Sequence, residues 1–442
     1  MHYAQVKRFI ECWDGDNAFR KVFADNPAKA LRNYALKVDP KEVAALCRRD
    51  KNDRIKIADL VKGHPALKAY GKYVEAINKF SLEILQKQIE ISNPIFETWS
   101  ARQKARFSTQ APSDWSEKNP FLAFSIELSE GCSVGCSYCA GAAEKLRSVA
   151  LFTQENEMLF RGILGALTEF SGVDSIYGLL YFFTEPLDNP DYAKYLQAYY
   201  DEVGGIPQTT TAAWFRDIPR TRRLLVQSES LEGGVERFSI NSLKHFRFCM
   251  KTFTADDLKK VHLVLNYPEA FSHLYKSGRA LSLHDAIDGT TACVCGFLVN
   301  LATRTVKLVS PCIEPDVWTK GYRILAESTF ADVPDFKAFL TFCQNTIMNS
   351  VLASDRALKF RRDLDIQLQL DNRAILKTRY RQMTIESEMG IALLRLIDGS
   401  QSPEGIVSSL SGEYSATKIY GLLNLWWDKG LFEDSEGPVQ FR

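Results

Sequence analysis

"GCSVGCSYCAG", residues 131–141, places three cysteines within eight positions: Cys132, Cys136 and Cys139. The whole chain has ten cysteines in 442 residues, too few for a disulfide scaffold. Clustered cysteines in such a chain more often bind a metal or perform chemistry than pack as small apolar side chains. Glycines within and on both sides of the run give the loop the backbone freedom that a tight turn needs.

Zinc is the first alternative for three close thiolates. A structural zinc site usually takes four ligands in two separated pairs. No second C-x2-C pair occurs, and the histidines nearest in sequence are His64 and His245. The C-x3-C-x2-C spacing instead suits three corners of a [4Fe–4S] cluster, whose fourth iron takes a ligand from elsewhere.

Composition predicts an ordinary globular protein of two to four domains. The chain is 45% hydrophobic and 25% charged, with a formal net charge of +1. This balance gives no global field toward nucleic acid or membrane. We find no signal peptide and no apolar run near the roughly 18 residues of a membrane span. We therefore expect a soluble, cytoplasmic protein without a nucleic-acid or membrane partner.

Strand and helix patterns around the cysteines predict an α/β fold. "FLAFSIEL" (121–128) reads as a strand that leads into the loop, and "AAEKLRSVALF" (142–152) reads as a helix after it. Further predicted strands are 175–183, 206–214, 235–243 and 261–271, followed by a hairpin at 292–312. "EPDVWTKGYRIL" (314–325) reads as a structured loop near the site.

Polar residues alternate with apolar ones along the predicted strand at 235–243. Ser239 and Asn241 share one face, and Phe238 and Ile240 share the other. A barrel interior that binds a ribose or a carboxylate would use such hydroxyl and amide groups. A solvated outer face is the alternative for the same two residues.

The two ends of the chain carry different patterns. Residues 9–49 have helical apolar spacing, with helix starts at Asn26-Pro27 and Asp39-Pro40. From about residue 363, a two-stranded pattern around Asp371-Asn372 precedes three short helices, which predicts a winged-helix module. Its candidate recognition helix, about 415–428, is rich in Leu and Trp and poor in basic residues, which favours peptide over DNA.

The cysteine stretch resembles the radical SAM superfamily, in which an aromatic residue precedes the last cysteine, as Tyr138 does here. The resemblance implies a [4Fe–4S] cluster on the three cysteines and S-adenosylmethionine (SAM) on the open iron. In place of the superfamily's Gly-Gly-Glu, this chain has Phe183-Thr184-Glu185. Glu185 keeps the carboxylate that would accept from the SAM ammonium, and a surface carboxylate is the structural alternative.

Over most of its length the chain resembles the radical SAM peptide epimerases of proteusin biosynthesis. The resemblance rests on "ELSEGCSVGCSYC" (127–139), "EPLDNPDY" (185–192) and "LVSPC" (308–312) followed by "GYR". The tail resembles a leader-peptide-binding domain, and residues 9–49 resemble the leader of nitrile-hydratase-like or Nif11-like precursors. A helical cap on the barrel is the alternative for residues 9–49.

The resemblance implies four regions. They are an N-terminal helical region (1–115), a partial (β/α)6 radical SAM barrel with its hairpin (116–325), a helical connector (326–362) and a winged-helix leader-binding domain (363–442). The implied partners are a precursor peptide with its leader and an external one-electron reductant such as flavodoxin or ferredoxin.

The implied reaction removes the α-hydrogen of an L-residue with the 5′-deoxyadenosyl radical from SAM. A thiol then returns a hydrogen atom to the opposite face. Cys312 is the preferred donor because it follows a strand end, and Cys343 and Cys293 are the alternatives, with Cys249 and Cys295 behind them.

Two rival functions fit the same motifs. One is a radical SAM enzyme that forms thioether or carbon–carbon crosslinks, for which Cys293, Cys295 and Cys312 could hold an auxiliary cluster. The other is a non-catalytic leader-binding partner. A tRNA-modifying role is weaker, since the basic stretch "FRDIPRTRR" (215–223) more often forms a solvated face.

Overall fold

The computed structural model describes a mixed α/β protein. The described residues are 3–44, 47, 68, 71, 93–112, 121–172, 178–231, 233, 235–271, 274–369, 372–434 and 437–441. Among them, no helix is both long enough and apolar enough to cross a membrane.

The helices are α1 (Tyr3–Gly15), α2 (Asn17–Asp25), α3 (Pro27–Asn33), α4 (Pro40–Val43), α5 (Pro94–Gln110), α6 (Gln154–Ser171), α7 (Tyr192–Val203), α8 (Ile218–Ser230), α9 (Leu243–Thr252), α10 (Val333–Thr346), α11 (Glu388–Leu396), α12 (Pro403–Leu410) and α13 (Ala416–Asp428). The strands are β1 (Leu122–Glu127), β2 (Ser129–Glu130), β3 (Ser148–Val149), β4 (Thr210–Thr211), β5 (Glu236–Ile240), β6 (Val261–Leu265), β7 (Val294–Asn300), β8 (Thr305–Pro311), β9 (Tyr322–Thr329), β10 (Asp365–Leu368), β11 (Ala374–Lys377), β12 (Gln382–Ile385) and β13 (Val439–Gln440).

The first sheet has five strands in the order β1-β7-β8-β9-β13. β7 runs parallel to β1, and β7, β8 and β9 form an antiparallel meander. The predicted hairpin at 292–312 is confirmed as β7–β8. The predicted loop at 314–325 is wrong for its last four residues, because β9 begins at Tyr322. β9 also runs across the predicted boundary between residues 325 and 326.

The second sheet is parallel, in the order β4-β5-β6. It confirms the strands predicted at 235–243 and 261–271, and the strand predicted at 206–214 is reduced to two residues. Of the strand predicted at 175–183, Leu179 forms a parallel bridge with Ser125 of β1, and residues 175–177 lie outside the described residues. The two sheets and this bridge give parallel strands with helical crossovers. The partial (β/α)6 barrel stays a prediction.

The helix predicted at 142–152 is wrong. The chain there doubles back along the cysteine loop, with Cys132 bridged to Lys145 and β3 paired antiparallel with β2. Gly131 has φ +81°, and a Cβ there would lie 2.3 Å from the Lys145 carbonyl oxygen. Asn189 donates to the Ala150 carbonyl at 2.6 Å. These contacts from distant segments outweigh the local helical pattern.

The N-terminal helices α1–α4 pack on the β4-β5-β6 sheet, with Phe9 and Phe19 in the same buried cluster as Trp214 and Phe238. The predicted helix starts are confirmed, since Asn26 and Asp39 cap α3 and α4 with their side chains. This packing is that of a helical cap. Part of the leader-like segment (45, 46, 48 and 49) lies outside the described residues, as does the predicted boundary near 115.

We call residues 363–434 the C-terminal unit. Its sheet has three antiparallel strands, β10-β11-β12, so the predicted two-stranded pattern is wrong by one strand. Thr378 N–H donates to the Arg381 carbonyl at 2.8 Å, which makes a tight turn between β11 and β12. The predicted helices are confirmed as α11, α12 and α13, which share a buried apolar cluster with the sheet. The winged-helix assignment stays a prediction.

Candidate functional site

We call residues 131–145 the cysteine loop; it leaves the end of β2. Gly131 and Gly135 adopt φ +81° and +66°, conformations that favour glycine. All three cysteines are partly buried. Each sulfur accepts one N–H: Val134 N to Cys132 Sγ at 3.5 Å, Asn241 Nδ2 to Cys136 Sγ at 3.5 Å and Ala143 N to Cys139 Sγ at 3.4 Å.

An iron–sulfur cluster needs several thiolate ligands, and the cysteine loop offers three thiols. In the described part of the chain, no group of three or more His, Cys, Asp or Glu side chains is arranged to hold a metal ion. Burial raises the pKa of the Cys132 thiol to about 11, so binding must displace a proton from it. Still, an all-sulfur set with one N–H on each sulfur is the environment such clusters use. The chemistry of the residues therefore fits the cluster.

Tyr138 and Asn241 come together at the cysteine loop. The Tyr138 hydroxyl donates to Asn241 Oδ1, while the Asn241 amide donates to Cys136 Sγ. Burial, followed by the neighbouring Cys136, raises the pKa of Tyr138. Asn241 follows β5, and Ser239 lies on the same face of that strand, partly buried. The structure thus links two of the predicted cofactor-binding residues to Cys136, Asn241 directly and Tyr138 through Asn241.

Glu185 is buried and holds three donors, which excludes the surface-carboxylate alternative. It accepts from Leu187 N–H at 3.1 Å, from the Thr211 hydroxyl at 2.5 Å and from Ala212 N–H at 2.8 Å. Burial raises the pKa of Glu185, against the opposing effect of these hydrogen bonds. In this structure the carboxylate ties the end of β4 to the loop at 185–188.

Asp188 and Arg216 also hold the cysteine loop, and sequence reasoning did not assign either of them. Asp188 accepts from Ser133 N–H at 2.8 Å and from the Ser133 hydroxyl. Arg216 donates to the Ser133 carbonyl at 3.2 Å and lies 3.8 Å from Asp188. Arg216 is exposed, as the solvated-face interpretation of 215–223 predicts, and it also contacts the cysteine loop. Both residues lie in stretches that the sequence analysis noted, 185–192 for its resemblance and 215–223 for its basic charge, but neither pattern predicts a contact with Ser133.

Arg279 is the third residue that sequence reasoning missed. Its backbone N–H donates to the Cys139 carbonyl at 2.9 Å, and its guanidinium donates to the Cys136 carbonyl at 2.9 Å and to the Ala143 carbonyl. No sequence motif marked it, because its contacts depend on the fold that brings residues 276–289 against the cysteine loop.

The three candidate donor cysteines lie in different places. Cys343 is in α10 and belongs to the buried apolar cluster that this helix shares with the five-stranded sheet. The cysteine loop leaves the sheet near Glu127, which is level with Asn300 and Thr305, whereas Cys312 follows the opposite end of β8.

Cys312 is fully buried. Burial, followed by the charge of Glu314, raises the pKa of its thiol, and the charges of Arg323 and Arg106 oppose that rise. Cys293 is partly buried and packs on the apolar cluster of Tyr181, Phe182 and Tyr322. Phe183 belongs to that cluster and abuts Gly141 of the cysteine loop, because an added Gly141 Cβ would lie 2.0 Å from the ring. Of the three candidates, Cys293 therefore shares an apolar cluster with a residue that contacts the loop.

Comparisons with known proteins give one substantial match. The uncharacterized protein y4wI of Sinorhizobium fredii is 31% identical over 381 residues, covering 82% of this chain and 74% of the relative. No family model matches. Among solved structures, BtrN in complex with AdoMet and 2-DOIA aligns with a TM-score of 0.30 and 15% identity, covering 42% of this chain and 72% of that one. The chain belongs to the y4wI family.

Proposed function

We propose that this member of the y4wI family is a radical SAM enzyme that converts L- to D-residues in a ribosomally made precursor peptide. The observation that carries the proposal is the cysteine loop, in which each of three sulfurs accepts an N–H. The resemblance of residues 127–139 and 185–192 to the epimerases supports the finer assignment.

Cys132, Cys136 and Cys139 would hold a [4Fe–4S] cluster. When bound, such a cluster supplies one-electron reduction of SAM, which yields an organic radical able to remove a hydrogen atom. Tyr138, Ser239 and Asn241 offer polar groups beside the loop for the cosubstrate. Glu185 has one of its two oxygens, Oε2, engaged by a single donor, so it can accept one further N–H from a SAM ammonium.

A thiol must return the hydrogen atom, and it must be protonated to do so. Cys312 stays the sequence-based choice. Burial raises its pKa, which keeps the S–H form at neutral pH. Cys293 meets the same condition, with its pKa raised to about 11 by burial, and it packs in the apolar cluster that contacts the cysteine loop. We therefore propose Cys293 as the first alternative to test.

Apolar surroundings also suit a radical reaction. Tyr181, Phe182, Phe183 and Tyr322 pack together beside the cysteine loop, with the Phe183 and Tyr322 ring centroids 5.9 Å apart. Such a cluster keeps water away from a substrate carbon held between two reacting groups.

The C-terminal unit would bind the leader of the precursor by adding it as a strand to the sheet edge. β10 is an edge strand, it is mostly exposed, and Leu368 is 51% exposed. An exposed edge strand with an apolar side chain is a ready template for pairing with another chain.

The alternative function, a crosslinking enzyme, needs a second iron–sulfur cluster. The three cysteines that could hold it pack against different groups of residues. Cys293 packs on the cluster with Tyr181, whereas Cys295 lies in the core cluster with Phe297. Cys312 is buried after the end of β8 and is in neither of these two clusters. This separation speaks against an auxiliary cluster on these three residues.

The deciding experiment is anaerobic turnover of a leader-containing precursor peptide in deuterated water. We expect 5′-deoxyadenosine to form and the peptide to gain one mass unit per modified residue. Loss of two hydrogens would indicate a crosslink, and about eight irons per chain instead of about four would agree with that rival. Absence of SAM cleavage by the reduced, iron-loaded protein would leave only the non-catalytic leader-binding role.

A further inference from the structure

A short 3-10 helix, Gly278–Ser282, lies directly against the cysteine loop. Gly278 has φ +55°, and an added Cβ would lie 2.2 Å from the Ala140 carbonyl oxygen and 2.4 Å from that of Cys139. These are backbone atoms that no side-chain rotation can move. Glycine at 278 is therefore required for the two backbones to approach this closely.

That approach brings Arg279 onto three carbonyls of the cysteine loop. The backbone N–H reaches Cys139 O at 2.9 Å, Nη1 reaches Cys136 O at 2.9 Å, and Nη2 donates to Ala143 O. The bonded carbonyls span the segment that contains two of the three cysteines and the N–H donor to Cys139 Sγ. The guanidinium presents a planar fork of donors, which suits the binding of two carbonyls at once better than a lysine ammonium does.

The segment that carries Arg279 is itself fixed. Gly278 N–H donates to the Thr319 carbonyl at 2.6 Å, and Tyr275 forms a bridge with Ile287. These backbone contacts fix the position of Arg279, whose guanidinium lies against the backbone of the cysteine loop. A cation near an iron–sulfur cluster favours the reduced state, because that state carries one more negative charge.

We propose that Arg279 is a positioning residue that holds the cysteine loop in its cluster-binding conformation and raises the reduction potential of the bound cluster. The inference rests on the proposed function, since it requires that the cysteines bind the cluster. A purely structural role for Arg279 would change the stability of the protein but neither the potential nor the electronic signature of the cluster.

The test compares Arg279→Gln, Arg279→Lys and a control, Arg147→Gln. Arg147 is a nearby arginine beyond the cysteine loop, but it is exposed and pairs with the side chains of Glu130 and Glu144. Each full-length protein is reconstituted anaerobically with iron and sulfide. The readouts are iron per chain, the electron paramagnetic resonance spectrum of the reduced cluster and its midpoint potential.

We expect Arg279→Gln to bind the cluster about tenfold more weakly, in line with the loss of other residues that orient metal ligands. The cluster that it does bind should have an altered spectrum and a more negative midpoint potential. Arg279→Lys should restore much of the potential, because it keeps the charge, but not the spectrum or the iron content. Arg147→Gln should behave as wild type in all three readouts.

A wild-type spectrum, potential and iron content in Arg279→Gln would overturn the inference while leaving the proposed function intact. A wild-type protein that binds no cluster would overturn both. Should Arg279→Gln not fold, as judged by circular dichroism, Arg279→Lys decides the question, and unchanged iron content and spectrum in that variant overturn the positioning role.

Discussion

The cysteine loop and the C-terminal unit differ in what holds them in shape. The loop is fixed by polar contacts from segments far away in the chain, through Asp188, Arg216, Asn241 and Arg279. The C-terminal unit is held mainly by apolar side chains from within about 75 consecutive residues. Single polar substitutions should therefore change the conformation of the cysteine loop without unfolding the protein. In the C-terminal unit, whose core is apolar, such substitutions should have only local effects.

Buried ion pairs of α5 and β9 join the C-terminal unit to the five-stranded sheet. Arg106 pairs with Glu314 at 3.1 Å and with Glu433 at 3.0 Å, and Asp434 pairs with Arg323 at 3.0 Å, all of them largely buried. Removing the C-terminal unit would leave buried arginines without their acidic partners, which is strongly destabilising. Point substitutions on the exposed strand edge are therefore a cleaner test of leader binding than a deletion.

The largest expected effect is loss of the cluster when Cys132, Cys136 and Cys139 are all replaced by alanine. All three sulfur ligands disappear, while the C-terminal unit keeps its own core. We expect no thiolate-to-iron charge-transfer absorbance and no SAM cleavage, with leader binding retained. Cys343→Ala, in the core of α10, is the control and should keep its iron. Full iron retention in the triple variant would contradict the assignment of the loop.

The next effect concerns the hydrogen donor. If Cys293 is the donor, we expect Cys293→Ala to cleave SAM and remove the α-hydrogen but to form almost no D-residue, because the thiol that returns the hydrogen atom is gone. Cys312→Ala is the direct comparison, because its thiol lies beside a buried ionic network instead. Deuterium transfer from an α-deuterated peptide into 5′-deoxyadenosine measures abstraction separately. The reverse pattern would return the role to Cys312, and normal epimerisation in both would exclude both.

How far the sequence predicts each region follows the same contrast. The three helices of the C-terminal unit are predictable because their caps and apolar periods are local, as Ser402 and Pro403 show at the start of α12, whereas one strand of its sheet was missed. The spacing of the three cysteines also predicts a cluster site from local sequence alone, and that assignment stays a prediction. Arg279 and Asp188 were not predictable, because their roles depend on tertiary contacts with loop carbonyls and with Ser133. The helix expected at 142–152 failed for the same reason.

A pH response should appear in the sheet that supports the cysteine loop. Burial raises the pKa of Glu236 to about 7, although its side chain accepts from Thr209 N–H and from the Ser228 hydroxyl. The folded state therefore binds the proton more tightly than the unfolded state does. This contribution to stability is complete below about pH 4.5 and is lost as pH rises through about 7, by roughly 3 kcal/mol.

Glu236→Gln removes that titration and can still bond to Thr209 and Ser228. We expect the variant to lose less stability than wild type between pH 5 and pH 8, measured by denaturant unfolding at each pH. Glu413→Gln, an exposed substitution in the C-terminal unit, is the control and should follow wild type. Equal pH dependence in wild type and Glu236→Gln would show that Glu236 does not titrate in this range.

The smallest expected effect tests the edge of the C-terminal sheet. Gln369 N–H bonds to the Arg373 carbonyl at 2.7 Å, so the antiparallel alternation turns the backbone groups of Leu368 outward. At the other edge, the bond between Thr378 N–H and the Arg381 carbonyl sets the same alternation. The backbone groups of Thr384 therefore point outward there. Leu368→Pro and Thr384→Pro therefore each delete one outward N–H without breaking the sheet's own ladder.

If the leader adds to β10, Leu368→Pro should weaken its binding by about 1 kcal/mol, or roughly fivefold in Kd, because one backbone hydrogen bond is lost. Leu368→Ala separates the loss of the side chain from the loss of the N–H, and Thr384→Pro should bind as wild type. Fluorescence anisotropy with a labelled leader peptide measures all four proteins. Weakening by Thr384→Pro alone would move the binding edge to β12. Equal affinity throughout would mean that the leader does not pair with this sheet, and the contrast between a cluster-binding loop and a leader-binding unit would then lose its second half.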